Sequence, residues 1–193
     1  MNWLVTLIFL SSILFSSSTI SLLKENKNVL RMSVSKAFTV DSDGFDIINE
    51  GERNISLHYI FNGNYRFMGA FGVDSPSTQL SFYYYKIWDG FFINSALNIY
   101  KNSEDTKFYN DAVFGLGLSR KLSDSNDLSG QFFYISTIDR QNNFTSLSGI
   151  VYLDTELTSS PDLSLQIGLL KDFSDSDLDP TFYFSLSYLK EIN

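Results

Sequence analysis

The sequence predicts an all-β chain in which ten antiparallel strands follow one another up and down and close into a transmembrane β-barrel. Eight strands is the fallback, should two segments form hairpins outside the membrane. Three observations point there. From Asn28 onward apolar and polar residues alternate with period two, and no stretch carries apolar residues at helical spacing. The alternating segments run ten to fourteen residues, beyond the ~5 or 6 of globular strands and at or above the ~9 to 11 that a tilted strand needs to cross a bilayer. Clusters of Gly, Asn, Asp, Ser and Pro separate them.

The amino terminus stands apart. Residues 1 to 23 carry no charged side chain, and Trp3 to Phe15 are mostly Leu, Val, Ile and Phe ahead of the small residues Ser16, Ser17, Ser18 and Thr19. That layout is an export signal, expected to be cleaved within 18 to 25 and to leave a barrel domain of 24 to 193, roughly 170 residues; the alternative, reading on through Leu22 and Leu23, is an uncleaved anchor.

Strands are then placed at 28 to 40, 53 to 62, 65 to 74, 78 to 88, 91 to 101, 109 to 122, 127 to 138, 144 to 157, 161 to 173 and 180 to 190. The clearest have two chemically distinct faces. Leu163, Leu165, Ile167 and Leu169 oppose Ser164, Gln166 and Gly168; Ala112, Phe114, Leu116 and Leu118 oppose Val113, Gly115, Gly117 and Ser119; Phe182, Phe184, Leu186 and Tyr188 oppose Tyr183, Ser185 and Ser187. In 127 to 138, Phe132, Phe133, Tyr134 and Ile135 occupy both parities, so an inward aromatic or a bulge is required there. Pro76, Pro161 and Pro180 fall at connections or strand starts, where a missing ladder donor is tolerated. Asn62-Gly63-Asn64 and Trp88-Asp89-Gly90 are short hairpin signals, the second suited to a type I′ turn.

Alternation alone leaves open which face meets solvent, because a soluble cup hides its apolar parity and a membrane barrel shows it to lipid. Lys36, Lys86, Arg120 and Lys171 sit on the apolar parity only toward strand ends, where long stems let the charge reach the interface. Aromatics collect at strand ends near the short turns: Tyr59, Phe61, Tyr65 and Phe67 at the first, Trp88, Phe91 and Phe92 at the second. With Tyr188 they form a candidate membrane-interface girdle. The opposite parity supplies a candidate lumen lining of Arg31, Ser33, Ser56, His58, Arg66, Asn94, Asn98 and Gln166, too polar for a dry sheet-on-sheet core. Odd-numbered connections, including 41 to 52, 102 to 108 and 174 to 179, should be outer loops. The short ones at 63 to 64, 89 to 90, 123 to 126 and 158 to 160 should be inner turns.

Across the whole of 24 to 193, by pattern and without a diagnostic motif, the chain resembles the small outer-membrane β-barrel proteins of Gram-negative bacteria, the porin-like class. The segment Phe182-Tyr183-Phe184-Ser185-Leu186-Ser187-Tyr188-Leu189 looks like the closing strand that the barrel-assembly machinery reads in that class, although Lys190-Glu191-Ile192-Asn193 follow where members commonly finish on an aromatic. The resemblance implies residence in the outer membrane, contact with its lipid and lipopolysaccharide, and a monomer.

Composition excludes much else. A net charge of -8 with no basic cluster speaks against nucleic acid, and the absence of Cys with a single His leaves little for metal or cofactor sites. Ser56 and His58 share a face, yet such neighbours lie ~7 Å apart by strand rise; the motif of the lipid A acyl hydrolases is absent, as are the acidic pairs of omptin-like proteases, so no enzyme is expected. Asp172, Asp175, Asp177 and Asp179, and the acidic run Asp41, Asp43, Asp46, Glu50 and Glu52, read as solvated loops without EF-hand grammar. The sequons at Asn54 and Asn143 matter only in a eukaryotic secretory route. What remains is a structural or surface-interaction barrel, a narrow passive pore for small solutes, or a secreted soluble barrel binding an apolar ligand. The last lacks the Gly-x-Trp signature of lipocalins.

Overall fold

The computed structural model describes residues 28 to 41, 47 to 51, 53 to 62, 64 to 101, 107 to 137, 145 to 157, 162 to 174 and 179 to 192. The segment read as an export signal lies outside them. Among the described residues eleven strands form one sheet: β1 (Val29–Val40), β2 (Ile47–Glu50), β3 (Asn54–Phe61), β4 (Tyr65–Gly72), β5 (Thr78–Trp88), β6 (Phe91–Lys101), β7 (Tyr109–Ser123), β8 (Asn126–Thr137), β9 (Thr145–Glu156), β10 (Leu163–Asp172) and β11 (Thr181–Glu191). From β3 to β11 each strand pairs antiparallel with its sequence neighbour. The wall then closes where β1 pairs with β11 from Val29↔Glu191 to Thr39↔Thr181, while its other edge pairs with β3 from Val29↔Ile60 to Ser35↔Asn54. The result is a ten-stranded, up-and-down barrel, and the eight-stranded fallback is set aside.

One short element was not anticipated. Residues 41 to 52, read as a loop, contain β2, which pairs with the far end of β1 (Phe38↔Glu50, Thr39↔Asn49, Val40↔Ile47) just where β3 stops. Without it, the last backbone donors and acceptors on that edge of β1 would have no ladder partner. A Lys36–Glu50 ion pair of 2.6 Å ties the same corner. Elsewhere the strand limits follow the alternation to within two residues, and the crowded 127 to 138 segment resolves as an inward Phe133 and Ile135 without a bulge among the residues Ser129 to Thr137.

The short turns share one rim, here called inner, and both described ends of the chain lie there; the longer connections share the opposite, outer rim. At the inner rim Asp89 (φ 25°) and Gly90 (φ 87°) both take positive φ, as a two-residue type I′ turn demands. Asn62 (φ 52°) does the same at the β3–β4 turn.

Burial is inverted relative to a soluble domain. Leu118 and Phe132 are more than 60% exposed on the outside, whereas Arg31, His58, Arg66 and Gln166 are fully buried on the inside. Leu80, Leu97, Leu116, Val151 and Leu186 extend the exposed apolar surface around the wall.

Candidate functional site in the barrel interior

All eight residues of the candidate lining, Arg31, Ser33, Ser56, His58, Arg66, Asn94, Asn98 and Gln166, have buried side chains on inward positions of their strands. Strand pairing explains the grouping of Arg31, Ser33, Ser56 and His58. Arg31 on β1 lies opposite His58 on β3 and Leu189 on β11, Ser33 opposite both Ser56 and Ser187, and His58 opposite Met68 on β4. Arg31 Nε donates to Ser187 Oγ at 2.9 Å and to Ser33 Oγ at 3.1 Å, and the two hydroxyls lie 2.9 Å apart across the β1–β11 seam. Arg66 turns its guanidinium onto Tyr83 (4.3 Å to the ring centre) and Tyr85 (5.4 Å), whose rings stack at 6.1 Å. These contacts give the buried cation favourable electrostatics against two aromatic faces.

Arg31, Arg66 and His58 act on one another electrostatically, and Asp154 from β9 acts on Arg31. The four strands β1, β3, β4 and β9 thus send their ionisable groups to a common level. Ser56 Oγ and His58 Nε2 are 2.7 Å apart: the side chains lean together and close the gap that backbone spacing alone would leave. Farther up, Gln131 Nε2 donates to Asn94 Oδ1 at 3.3 Å. Near the outer rim Ser146 Oγ donates to Asp172 Oδ2 at 3.1 Å, and Ser174 N donates to Asp172 Oδ1 at 2.8 Å. Asp172, read as part of an acidic loop, is therefore the buried end of β10; Asp175, Asp177, Asp43, Asp46 and Glu52 lie outside the described residues.

The interior also holds a second population, of which sequence reasoning gave only Tyr183 on the inward parity and one inward aromatic or a bulge in 127 to 138. Tyr83, Tyr85, Phe92, Phe133, Tyr152 and Tyr183 are all essentially unexposed within the wall. Phe92 in particular, placed with the girdle, points inward instead. Phe92 lies opposite Gly117 and Tyr183 opposite Gly168 in the register. A Cβ at either glycine would collide with the facing ring. The missing side chain is what admits the aromatic.

Outside, the girdle residues stack along the inner rim. Tyr59, Phe61, Tyr65 and Phe67 form a run with ring centres 5.3 to 5.8 Å apart between Tyr59 and Phe61, Phe61 and Tyr65, and Phe61 and Phe67. The run continues to Phe82 on β5, 4.9 Å from Phe67. Trp88 and Phe91 stack at 5.8 Å beside the next turn, and Tyr188 is exposed near the inner end of β11. Such offset ring pairs contribute about 0.5–1.5 kcal/mol beyond area burial.

At the outer rim Arg53 brackets Asp74, with its backbone N–H 3.0 Å and its Nε 3.1 Å from the carboxylate, joining the start of β3 to the β4–β5 connection. The guanidinium holds the Asp74 carboxyl down to about 2 from its ordinary 3.8 and raises Arg53 in turn. Because the shift is downward, its contribution is complete above the ordinary carboxylate range and disappears as pH falls through about 2. The Arg53 Nε–H resonance is therefore expected to stay constant from pH 7 to 4 and to move only on approach to pH 2, whereas in Asp74→Asn it should lack that transition.

No family model matches the chain, and no curated protein does either. Among solved structures it is similar to the KdgM porin in complex with disordered oligogalacturonate (9% identity over 82% of this chain and 98% of that one, TM-score 0.46). It is similar also to the N-terminal β-barrel domain of Pseudomonas aeruginosa OprF (9%, 85% and 98%, TM-score 0.37) and to the Yersinia pestis outer membrane protein Ail (15%, 85% and 100%, TM-score 0.41). The chain's own geometry, an apolar exterior around a polar and aromatic interior closed by ten up-and-down strands, is that of a small porin-like transmembrane β-barrel.

Proposed function

We propose that the protein is a small integral outer-membrane barrel with a structural or surface-interaction role, its interior occupied by its own side chains. The observation that carries this reading is the set of large side chains with almost no exposure inside the wall: Arg31, Arg66, Tyr83, Tyr85, Tyr152, Tyr183, Phe92 and Phe133. Barrels of this size enclose little more than side-chain volume, unlike the wide channels at ~16 to 18 strands. The buried Ser56–His58 contact belongs, on this reading, to the hydrogen-bonding of the interior and not to catalysis.

Refolded protein in planar bilayers is expected to give no discrete conductance steps. Steady steps would sink the filled-interior reading in favour of a narrow passive pore. That second reading draws on the inward residues Arg31, Arg66, His58, Asn94 and Asn98, and it requires the steps to change ion selectivity in Arg31→Ala and Arg66→Ala. A soluble carrier of an apolar ligand would instead stay in solution without detergent and show no heat-dependent gel shift. Contact with outer-membrane lipid and lipopolysaccharide, recognition of β11 by the barrel-assembly machinery and a monomeric state belong to the same proposal.

A further inference from the structure

The outer wall carries an apolar depression with a charged rim. Its floor is Gly130, an outward position on β8 whose register neighbours are Leu118 on β7 and Val151 on β9. Leu128 stands two residues below on the same face. Three branched side chains thus surround a residue that has none, and a methyl group built on Gly130 would meet only Ile150 O and Val151 Cγ2, both at 3.8 Å. The space is unfilled by the protein itself. The contrast is Gly149, also outward, whose place is taken by Phe132 and Phe173. The groove encloses about 480 Å³, within the ~300–1,000 Å³ of small-molecule sites.

The rim follows from uneven hairpin lengths. β6 pairs with β7 only as far as Phe91↔Leu118, while β7 continues to Ser123 against β8. The Asp89–Gly90 turn therefore abuts β7 partway along, with Ser119 N donating to Gly90 O at 2.6 Å. This brings Asp89 to the groove beside Arg120, which is exposed on the lipid-facing parity and has no ion-pair partner among the described residues. One carboxylate and one guanidinium thus border an apolar slot, level with the Trp88–Phe91 stack that marks the interface.

We infer that this groove binds a glycerophospholipid with a zwitterionic phosphate–ammonium headgroup: one acyl chain over Gly130 between Leu118, Leu128 and Val151, the phosphate at Arg120 and the ammonium at Asp89. The inference rests on the membrane-barrel reading above. Charge complementarity selects the headgroup, since a purely anionic one would face Asp89 without compensation. The apolar floor selects a chain over a soluble phosphate.

The test is native mass spectrometry of the folded protein taken from vesicles of mixed phosphatidylethanolamine and phosphatidylglycerol into mild detergent. Wild type is expected to keep one phosphatidylethanolamine. Gly130→Leu, which fills the floor, should lower that occupancy about fivefold, a little over 0.9 kcal/mol, and Arg120→Ser should lower it about threefold. Equal lipid occupancy in wild type and Gly130→Leu, with both keeping the heat-dependent gel shift, overturns the groove and leaves the barrel reading standing. Preferential retention of phosphatidylglycerol overturns the headgroup assignment. Failure of wild type to enter vesicles at all takes down both readings.

Discussion

Gly168→Leu is expected to weaken refolding into lipid strongly, seen as a much reduced fast-migrating, heat-sensitive band in gels. Gly168 faces inward on β10 between Tyr152 and Tyr183 in the register, and the Tyr183 ring lies across the space its Cβ would need. Both neighbours are fully buried, so neither ring has a free direction of retreat. Forcing extra carbon into a packed interior costs about 1–3 kcal/mol and sometimes more, against a net stability of only ~5–15 kcal/mol for a typical domain. Here the clash is with a ring held between two strands, so the upper end of that range applies. The double variant Gly168→Leu with Tyr183→Ala should recover much of the folded band, because contacting sites couple. A single variant that refolds like wild type would mean that Tyr183 does not occupy the interior.

Leu116→Arg is the second large effect. Leu116 projects outward midway along β7, with outward Ile93 and Phe132 beside it on β6 and β8. A cation at the middle of a lipid-facing wall costs about 2–4 kcal/mol, whereas an exposed substitution on a soluble surface changes stability by about 0.5 kcal/mol or less. The size of the effect therefore decides which way the wall faces. Denaturant unfolding in vesicles should show the midpoint falling by the larger amount, with Leu116→Ala falling much less. A midpoint within experimental scatter of wild type would invert the barrel.

Most of the wall was legible because one face of each strand is read by a different solvent from the other, and that difference is written every second residue. Leu165, Ile167 and Leu169 against Ser164, Gln166 and Gly168 mark β10 as a strand and divide its two faces, while the end-placed charges and the aromatic girdle decide which face meets lipid. The method fails where aromatics run consecutively. Phe82-Tyr83-Tyr84-Tyr85, Phe91-Phe92 and Phe132-Phe133-Tyr134 place rings on both parities, so period two cannot assign them, and the interior looked wetter than it is. A signal was nevertheless present: the inward glycines Gly117 and Gly168, each opposite an inward ring, mark where the interior makes room. β2 was hidden for another reason. Its pairing answers a need of β1's far edge, which no local pattern of residues 47 to 50 expresses. Ser56 and His58 were correctly put on one face, but their 2.7 Å contact depends on rotamers that spacing does not encode.

The β1–β11 seam has a temporal meaning. Arg31 and Ser187, hydrogen-bonded across it, are 156 residues apart in the chain, while every other junction of the wall except β1–β3 is a local hairpin. Local hairpins can form early, but the β1–β11 junction must await β11, and contacts this distant make folding slow. Until then two ladder edges stand open, so the Arg31–Ser33–Ser187 cluster is a clasp that forms only once β11 docks on β1.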